Sequence, residues 1–300
     1  MSSTSEPQTP QDKSAESVTP FTCMMTASVR AAETRRPDAI CNDPFAEALA
    51  GEAGRQLAAH VASMMRRENQ LQDYVAVRTR YIDDTLDSLD VAIKQVVILG
   101  AGLDSRAYRL KALGDRHVYE VDGSTEMLDR KRRILSEMNA PVLAKEHRIV
   151  VADLAEEAWK TELINNGFNP KEQTFWLMEG LLPYIDYEGN AGLVKAIDSL
   201  SAPGSQIWVD ILGPDLVQKT PVQQTKGEGI WRTRAAKYGE ANPHEGVLSL
   251  INWDLHIAAD FAKATEYFGR EWIPHSYTSS QGEEKVVPMF FVLATKPASP

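Results

Sequence analysis

The chain has 300 residues, of which 43% are hydrophobic and 25% charged, a composition ordinary for a folded globular protein. This excludes a largely disordered chain, a collagen and a coiled coil. Lys and Arg number 32 against 42 Asp and Glu, a formal net charge of −10, which disfavours nucleic acid or an anionic membrane surface as partner because both require a basic footprint.

Two cysteines, Cys23 and Cys41, are too few for a disulfide framework or a thiolate metal site, and no metal is expected. Free thiols suit a reducing compartment. The longest apolar run, residues 286–294, has the length of a strand, and the first residues lack a basic-then-apolar leader. A cytoplasmic protein is the expectation.

Residues 1–19 are rich in Ser, Thr, Pro and Gln and are expected to form a disordered tail. Residues 20–93 are expected to be helical. Asp43-Pro44 resembles an N-cap followed by proline in the first helical turn. Leu71, Val75, Arg78, Ile82, Leu86 and Leu89 recur on one helical face. Arg78 is the cation on that apolar stripe. It either snorkels to water or is buried against an anion, because an unpaired buried charge is costly.

From residue 94 the rhythm changes. Gln95–Leu99, residues 117–121, residues 148–151, Thr174–Met178 and Gln206–Leu212 are short apolar runs separated by helix-compatible stretches. Alternation of this kind predicts βαβ units and a mostly parallel, Rossmann-like α/β sheet. Residues 272–278 and 286–295, around Gln281-Gly282, predict an antiparallel hairpin at the sheet edge.

The first strand runs into Gly100-Ala101-Gly102-Leu103-Asp104-Ser105. Gly100 permits a tight turn and Gly102 a close ligand approach. Asp122 lies 20 residues beyond Gly102, at the end of the second strand, where a carboxylate can chelate ribose hydroxyls. Dinucleotides and S-adenosylmethionine both fit this pattern. Ser105 stands where the dinucleotide fingerprint has its third glycine, and a carboxylate at Asp104 is ill placed beside a pyrophosphate. Asp104 either caps the following helix or sits near a cofactor ammonium. Asp153-Leu154 ends the third strand, where an acid can accept from adenine and a leucine cover the ring. Glu179 ends the fourth amid apolar neighbours, at the carboxyl end of the strands where such folds bind ligands.

These pieces resemble the leucine carboxyl methyltransferase-like family of S-adenosylmethionine-dependent O-methyltransferases. The matching segments are RAAETRRPDAICNDPFAEAL (30–49), VRTRYIDD (77–84), VVILGAGLDSRAYRL (96–110), VYEVDG (118–123), VADL (151–154) and MEGLLPYI (178–185). The resemblance implies a class I methyltransferase sheet with a helical N-terminal lid, as one domain over 20–300. Within it, 20–93 would form the lid, 94–300 the core, and about 213–255 a substrate wall. It implies that Arg78, or Arg80 in its place, holds the cofactor carboxylate. Gly100 would line the amino-acid moiety, Asp122 bind ribose, Asp153 and Leu154 bind adenine, and Glu179 close the site, with Arg30 a contact from the lid. Gly123-Ser124-Thr125 departs from relatives that carry a bulkier polar residue and proline there.

Methyl transfer to a carboxylate needs no base, whereas a phenol or alcohol requires one. His244, His256 and Tyr184 are the candidates for that role. Residues 227–238 carry Trp231, Arg232, Arg234, Lys237 and Tyr238, which read either as a clamp for an anionic aromatic substrate or as a solvated helix face. The expected function is O-methylation of a small metabolite at a carboxylate or hydroxyl, with secondary metabolism one setting. The alternatives are methylation of a protein C-terminal carboxylate and, from another class, an NAD(P)-binding oxidoreductase. The sequence leaves the oligomeric state open.

Overall fold

A computed structural model describes residues 19–65, 67, 69–216, 236–278 and 282–298. The expected tail therefore lies outside the described residues, except for Thr19, which opens the first helix.

Three helices come first: α1 (Thr19–Thr34), α2 (Ala46–Ala62) and α3 (Gln70–Asp87). The predicted start of α2 shifts by two residues. Asp43 accepts from the Phe45 amide at 3.2 Å within a preceding turn, and the helix begins at Ala46. The apolar stripe of α3 is buried as its spacing predicts, from Leu71 through Ile82 to Leu86, and Arg78 is buried with it at 6% exposure.

The core alternates strands and helices: β1 (Gln95–Leu99), the single turn α4 (Arg106–Arg109), β2 (His117–Asp122), α5 (Thr125–Glu137), β3 (Glu146–Val151), α6 (Ala158–Asn165), β4 (Thr174–Met178), α7 (Tyr187–Ser199) and β5 (Gln206–Leu212). Then follow β6 (Asp254–Asp260), α8 (Phe261–Tyr267), β7 (Ser276–Thr278), β8 (Glu284–Val286) and β9 (Met289–Thr295). The main sheet has the order β3-β2-β1-β4-β5-β9-β6. Its first five strands are parallel, and β9 runs antiparallel to both β5 and β6.

Successive residues of the central strands enter opposite layers, as the period of two requires. Val96 and Ile98 pack with the stripe of α3 and with Phe261, while Val97 and Leu99 pack with Trp159 of α6 and Val194 and Ile197 of α7. Helices thus cover both faces.

The expected antiparallel hairpin forms, but not at the edge of the main sheet and not with residues 289–295. β7 and β8 pair with each other in a separate two-stranded sheet, and β9 is an interior strand. Phe291, Val292 and Ala294 on β9 are all within 2% of full burial. Adjacent residues buried on opposite faces need layers on both sides, which an edge cannot supply. The edge belongs to β6, whose sequence DLHIAAD alternates polar and apolar residues over its first half.

Candidate active site at the carboxyl ends of the central strands

The strand order reverses between β1 and β4, and a cavity of about 720 Å³ opens at their carboxyl ends. This is where open α/β sheets bind ligands. The loop after β1 forms its floor. Gly100 (φ +68°) and Gly102 (φ +42°) are both left-handed, and a Cβ on Gly100 would lie 2.9 Å from Leu181 Cδ1. Glycine meets both demands at no steric cost.

Asp122 is fixed by that loop. Its Oδ2 accepts from the Gly102 amide and its Oδ1 from the Ser124 amide, each at 2.8 Å. The carboxylate is thus oriented into the cavity with lone pairs to spare for hydroxyl donors. Ser124 also caps α5 by accepting from the Met127 amide, so the departure at 123–125 builds a regular helix start. Asp153 and Leu154 line the cavity beyond Asp122; Asp153 is exposed and accepts from the Ala155 amide at 2.9 Å, while Leu154 packs on the core.

Asp104 lines the cavity too, and its carboxylate is engaged. Oδ1 accepts from the Arg106 amide at 2.7 Å, and Oδ2 pairs with the Arg106 guanidinium. The bond to the Arg106 amide is a local turn just before α4, whose N-cap is Ser105.

The centre of the site is a buried ionic network. Arg78 Nε donates to Glu179 Oε1 at 2.9 Å, and Arg78 Nη1 donates to Asp210 Oδ2 and to the Tyr74 hydroxyl, both at 3.0 Å. Arg106 Nη1 donates to Glu179 Oε2 at 2.7 Å. Arg106 and Arg109 share Asp83 behind it. The anion that a buried Arg78 required is therefore a pair of carboxylates. Burial pushes the Glu179 carboxyl up, but the Arg106 and Arg78 guanidiniums overcome this and hold it at about 2. Arg78 borders the cavity, and its Nη2 has no hydrogen-bond partner among the described residues.

From the helical segment, Thr22, Cys23, Met25 and Arg30 of α1 close the opposite wall. Arg30 pairs with Asp43 at 2.8 Å and donates to the Leu103 carbonyl at 3.0 Å. Burial and the nearby Asp122 push the Cys23 thiol up to about 12. Tyr184 also lines the cavity, with its phenol raised by burial and bonded to Thr22.

Three predicted candidates lie elsewhere. Arg80 has a 43% exposed side chain and pairs with Asp84 at 2.7 Å; two residues from Arg78 is about 200° around the helix, so the two cannot share a face. His244 is exposed in the loop before β6, and His256 is exposed on the edge strand β6 itself. Neither borders the cavity. Of the basic aromatic segment, Trp231, Arg232 and Arg234 lie outside the described residues. Lys237 borders the cavity, whereas Tyr238 is buried and bonded to Glu240.

Asp210 and Tyr74 went unpredicted, as did Arg106, Arg109 and Asp83 of the ionic network. Asp210 was signalled by being the one acid within the apolar strand QIWVDIL, and Tyr74 by standing one helical turn before Arg78. Among the described residues no helix is long and apolar enough to cross a membrane.

The family model described as leucine carboxyl methyltransferase matches residues 23–198. A protein of Frankia alni named "Putative S-adenosyl-L-methionine-dependent methyltransferase" is 42% identical over 188 residues, covering 62% of this chain and 66% of that one. A protein of Mycobacterium tuberculosis with the same name is 39% identical over 197 residues, covering 62% of this chain and 56% of that one. The match thus spans between about half and two thirds of the length of these relatives. Among solved structures, a DUF574 family protein from Streptomyces avermitilis superposes with a TM-score of 0.60 at 12% identity, over 92% of this chain and 97% of that one. A methyltransferase-like structure from Thermobifida fusca, described as a "putative methyltransferase", gives 0.56 at 17% identity over 91% and 94%. These two speak for the fold. With the family match extending over more than half of its length, the chain belongs to the leucine carboxyl methyltransferase family.

Proposed function

We propose that the protein is an S-adenosylmethionine-dependent O-methyltransferase whose acceptor is a carboxylate of a small metabolite. The residues around the cavity fit that cofactor. Asp104, Asp122, Asp153, Glu179, Asp186 and Asp210 border it against the cations Arg30, Arg78 and Lys237. An acid-rich lining suits a sulfonium-bearing ligand and repels the pyrophosphate of a dinucleotide. In this reading Asp122 takes the ribose hydroxyls, Asp153 and Leu154 the adenine, and Arg78 Nη2 the cofactor carboxylate. The helical segment 20–93 serves as the lid that keeps water out, and the wall begins near residue 213.

Bound S-adenosylmethionine supplies a methyl group already activated on sulfur. The protein's own work is alignment and exclusion of water, which supply effective molarities of about 10⁵–10⁸ M in well-oriented systems. An acceptor carboxylate oxygen forms the new bond to carbon, the carbon–sulfur bond breaks, and its electron pair stays on sulfur. No proton moves.

The observation that carries the carboxylate is the set of groups facing the cavity. All six histidines fall among the described residues, and none borders it. Burial raises the phenols of Tyr74 and Tyr184 and the thiol of Cys23. Glu179 and Asp104 are occupied by arginines. Among the described residues bordering the cavity, an acceptor that must first lose a proton meets no histidine to receive it.

Calorimetric titration with S-adenosylmethionine, S-adenosylhomocysteine and NAD(P)H tests the cofactor. Binding of the first two and not the third is expected, and binding of the nicotinamide cofactor alone would overturn the reading. A screen of carboxylic acids and phenols with radiolabelled methyl donor tests the acceptor. The product should be a methyl ester that mild alkali cleaves. An alkali-stable methyl ether would refute the carboxylate.

A further inference from the structure

The buried network beside the cavity does not balance. Through ion pairs of 3.0 Å or less it links Arg78, Arg106 and Arg109 with Asp83, Asp104, Glu179 and Asp210. Three guanidiniums face four carboxylates. Arg78 and Arg106 share Glu179, Arg106 also takes Asp104, and Arg109 holds Asp83. Asp210 is the carboxylate left with a share of Arg78, which already serves Glu179. Its remaining partners are neutral: the Gly180 amide donates to Oδ1 at 2.6 Å, and the Tyr74 hydroxyl lies 3.4 Å from Oδ2. Asp210 is 2% exposed and borders the cavity. A buried surplus of negative charge is costly unless something cationic compensates it.

We infer that Asp210 is a specificity-determining residue: it supplies the surplus negative charge that distinguishes the cationic methyl donor from its neutral demethylated product. The inference rests on the cofactor assigned above. S-adenosylmethionine and S-adenosylhomocysteine share ribose, adenine, carboxylate and ammonium, so contacts to those parts stabilise both alike. Only the sulfonium carries the extra positive charge. Methyl transfer removes it, so the same carboxylate that attracts the donor ceases to hold the product once the reaction is complete. Asp210 also orients Arg78 and the backbone after Glu179, but that positioning acts equally on the two ligands. The two roles are therefore separable.

The test compares the affinities of S-adenosylmethionine and S-adenosylhomocysteine by calorimetry for the wild-type chain, Asp210→Asn and Tyr74→Phe, with thermal melting to show that each is folded. Asp210→Asn removes the charge at nearly constant shape. It should lower the donor-to-product affinity ratio by about ten-fold, the size expected for one unit charge at roughly 10 Å and an effective dielectric near 20. Tyr74→Phe removes a hydrogen bond to the same carboxylate and keeps its charge, so the ratio should stay within about two-fold of wild type. An unchanged ratio in Asp210→Asn, with both ligands weakened equally, would reduce Asp210 to a positioning residue and overturn the inference. Wild-type protein that binds neither ligand would instead overturn the cofactor assignment.

Should Asp210→Asn fail to fold, a nitrogen-for-sulfur analogue of the donor gives the answer on the wild-type chain. At a pH where the free analogue is mostly neutral, calorimetry in buffers of differing ionisation enthalpy should show proton uptake on binding. Binding without proton uptake would overturn the inference.

Discussion

Replacing Arg78 with methionine keeps an apolar stem of similar length and removes the guanidinium. Glu179 retains Arg106, but Asp210 loses the one cation paired with it among the described residues. Removing one partner of a buried pair costs about 3–5 kcal/mol, because the other charge stays buried and uncompensated. The same change at Arg80 breaks an exposed i,i+4 pair with Asp84 worth about 0.3–0.5 kcal/mol. Equilibrium unfolding in urea should therefore separate the two variants by at least about 2 kcal/mol. Cofactor binding should separate them as well. Arg78 borders the cavity and its Nη2 has no protein partner among the described residues, and a hydrogen bond to a charged group contributes about 1.5–3 kcal/mol. Calorimetry should show roughly ten- to hundred-fold weaker S-adenosylmethionine binding for Arg78→Met and little change for Arg80→Met. Equal losses in the two variants, in stability and in affinity, would refute the assignment of Arg78 as the buried cation of the site.

Asp122→Ala should weaken S-adenosylmethionine by ten-fold or more and leave the acceptor's KM nearly unchanged in saturating cofactor; undiminished cofactor affinity would remove Asp122 from the ribose site. Glu179 has its folded pKa lowered from 4.5 to about 2, so its contribution is present above pH 4.5 and is lost as pH falls through that window, to the extent of about 3 kcal/mol. Urea unfolding at pH 6 and pH 3 should show a smaller acid-dependent loss for Glu179→Gln than for wild type, and identical losses would contradict the depressed value. His244→Ala and His256→Ala should each keep kcat within about two-fold, measured by methyl transfer from labelled donor, because neither side chain borders the cavity; a hundred-fold fall in either would restore a histidine base and with it a hydroxyl acceptor.

The sequence by itself determined what depends on local pattern. The period of α3 placed Arg78 on the buried face, and the alternation of runs gave five parallel strands at nearly their observed positions. Gly100, Gly102 and Asp122 were legible because a left-handed turn and a strand-end acid leave marks in adjacent residues. What spans distant parts of the chain was decided by tertiary structure. The pairing of Arg78 with Asp210 joins residues 132 positions apart, and no spacing rule connects a helix in the first third of the chain to a strand in the last. β9 sits inside the sheet because both its edges find partners, β5 on one side and β6 on the other, and that choice depends on which edge is free when the chain returns. The histidines show the same limit in reverse. Their residue type suggested a base, but their distance from the cavity is set by packing, where burial and charge balance over many residues decide what a given side chain can reach.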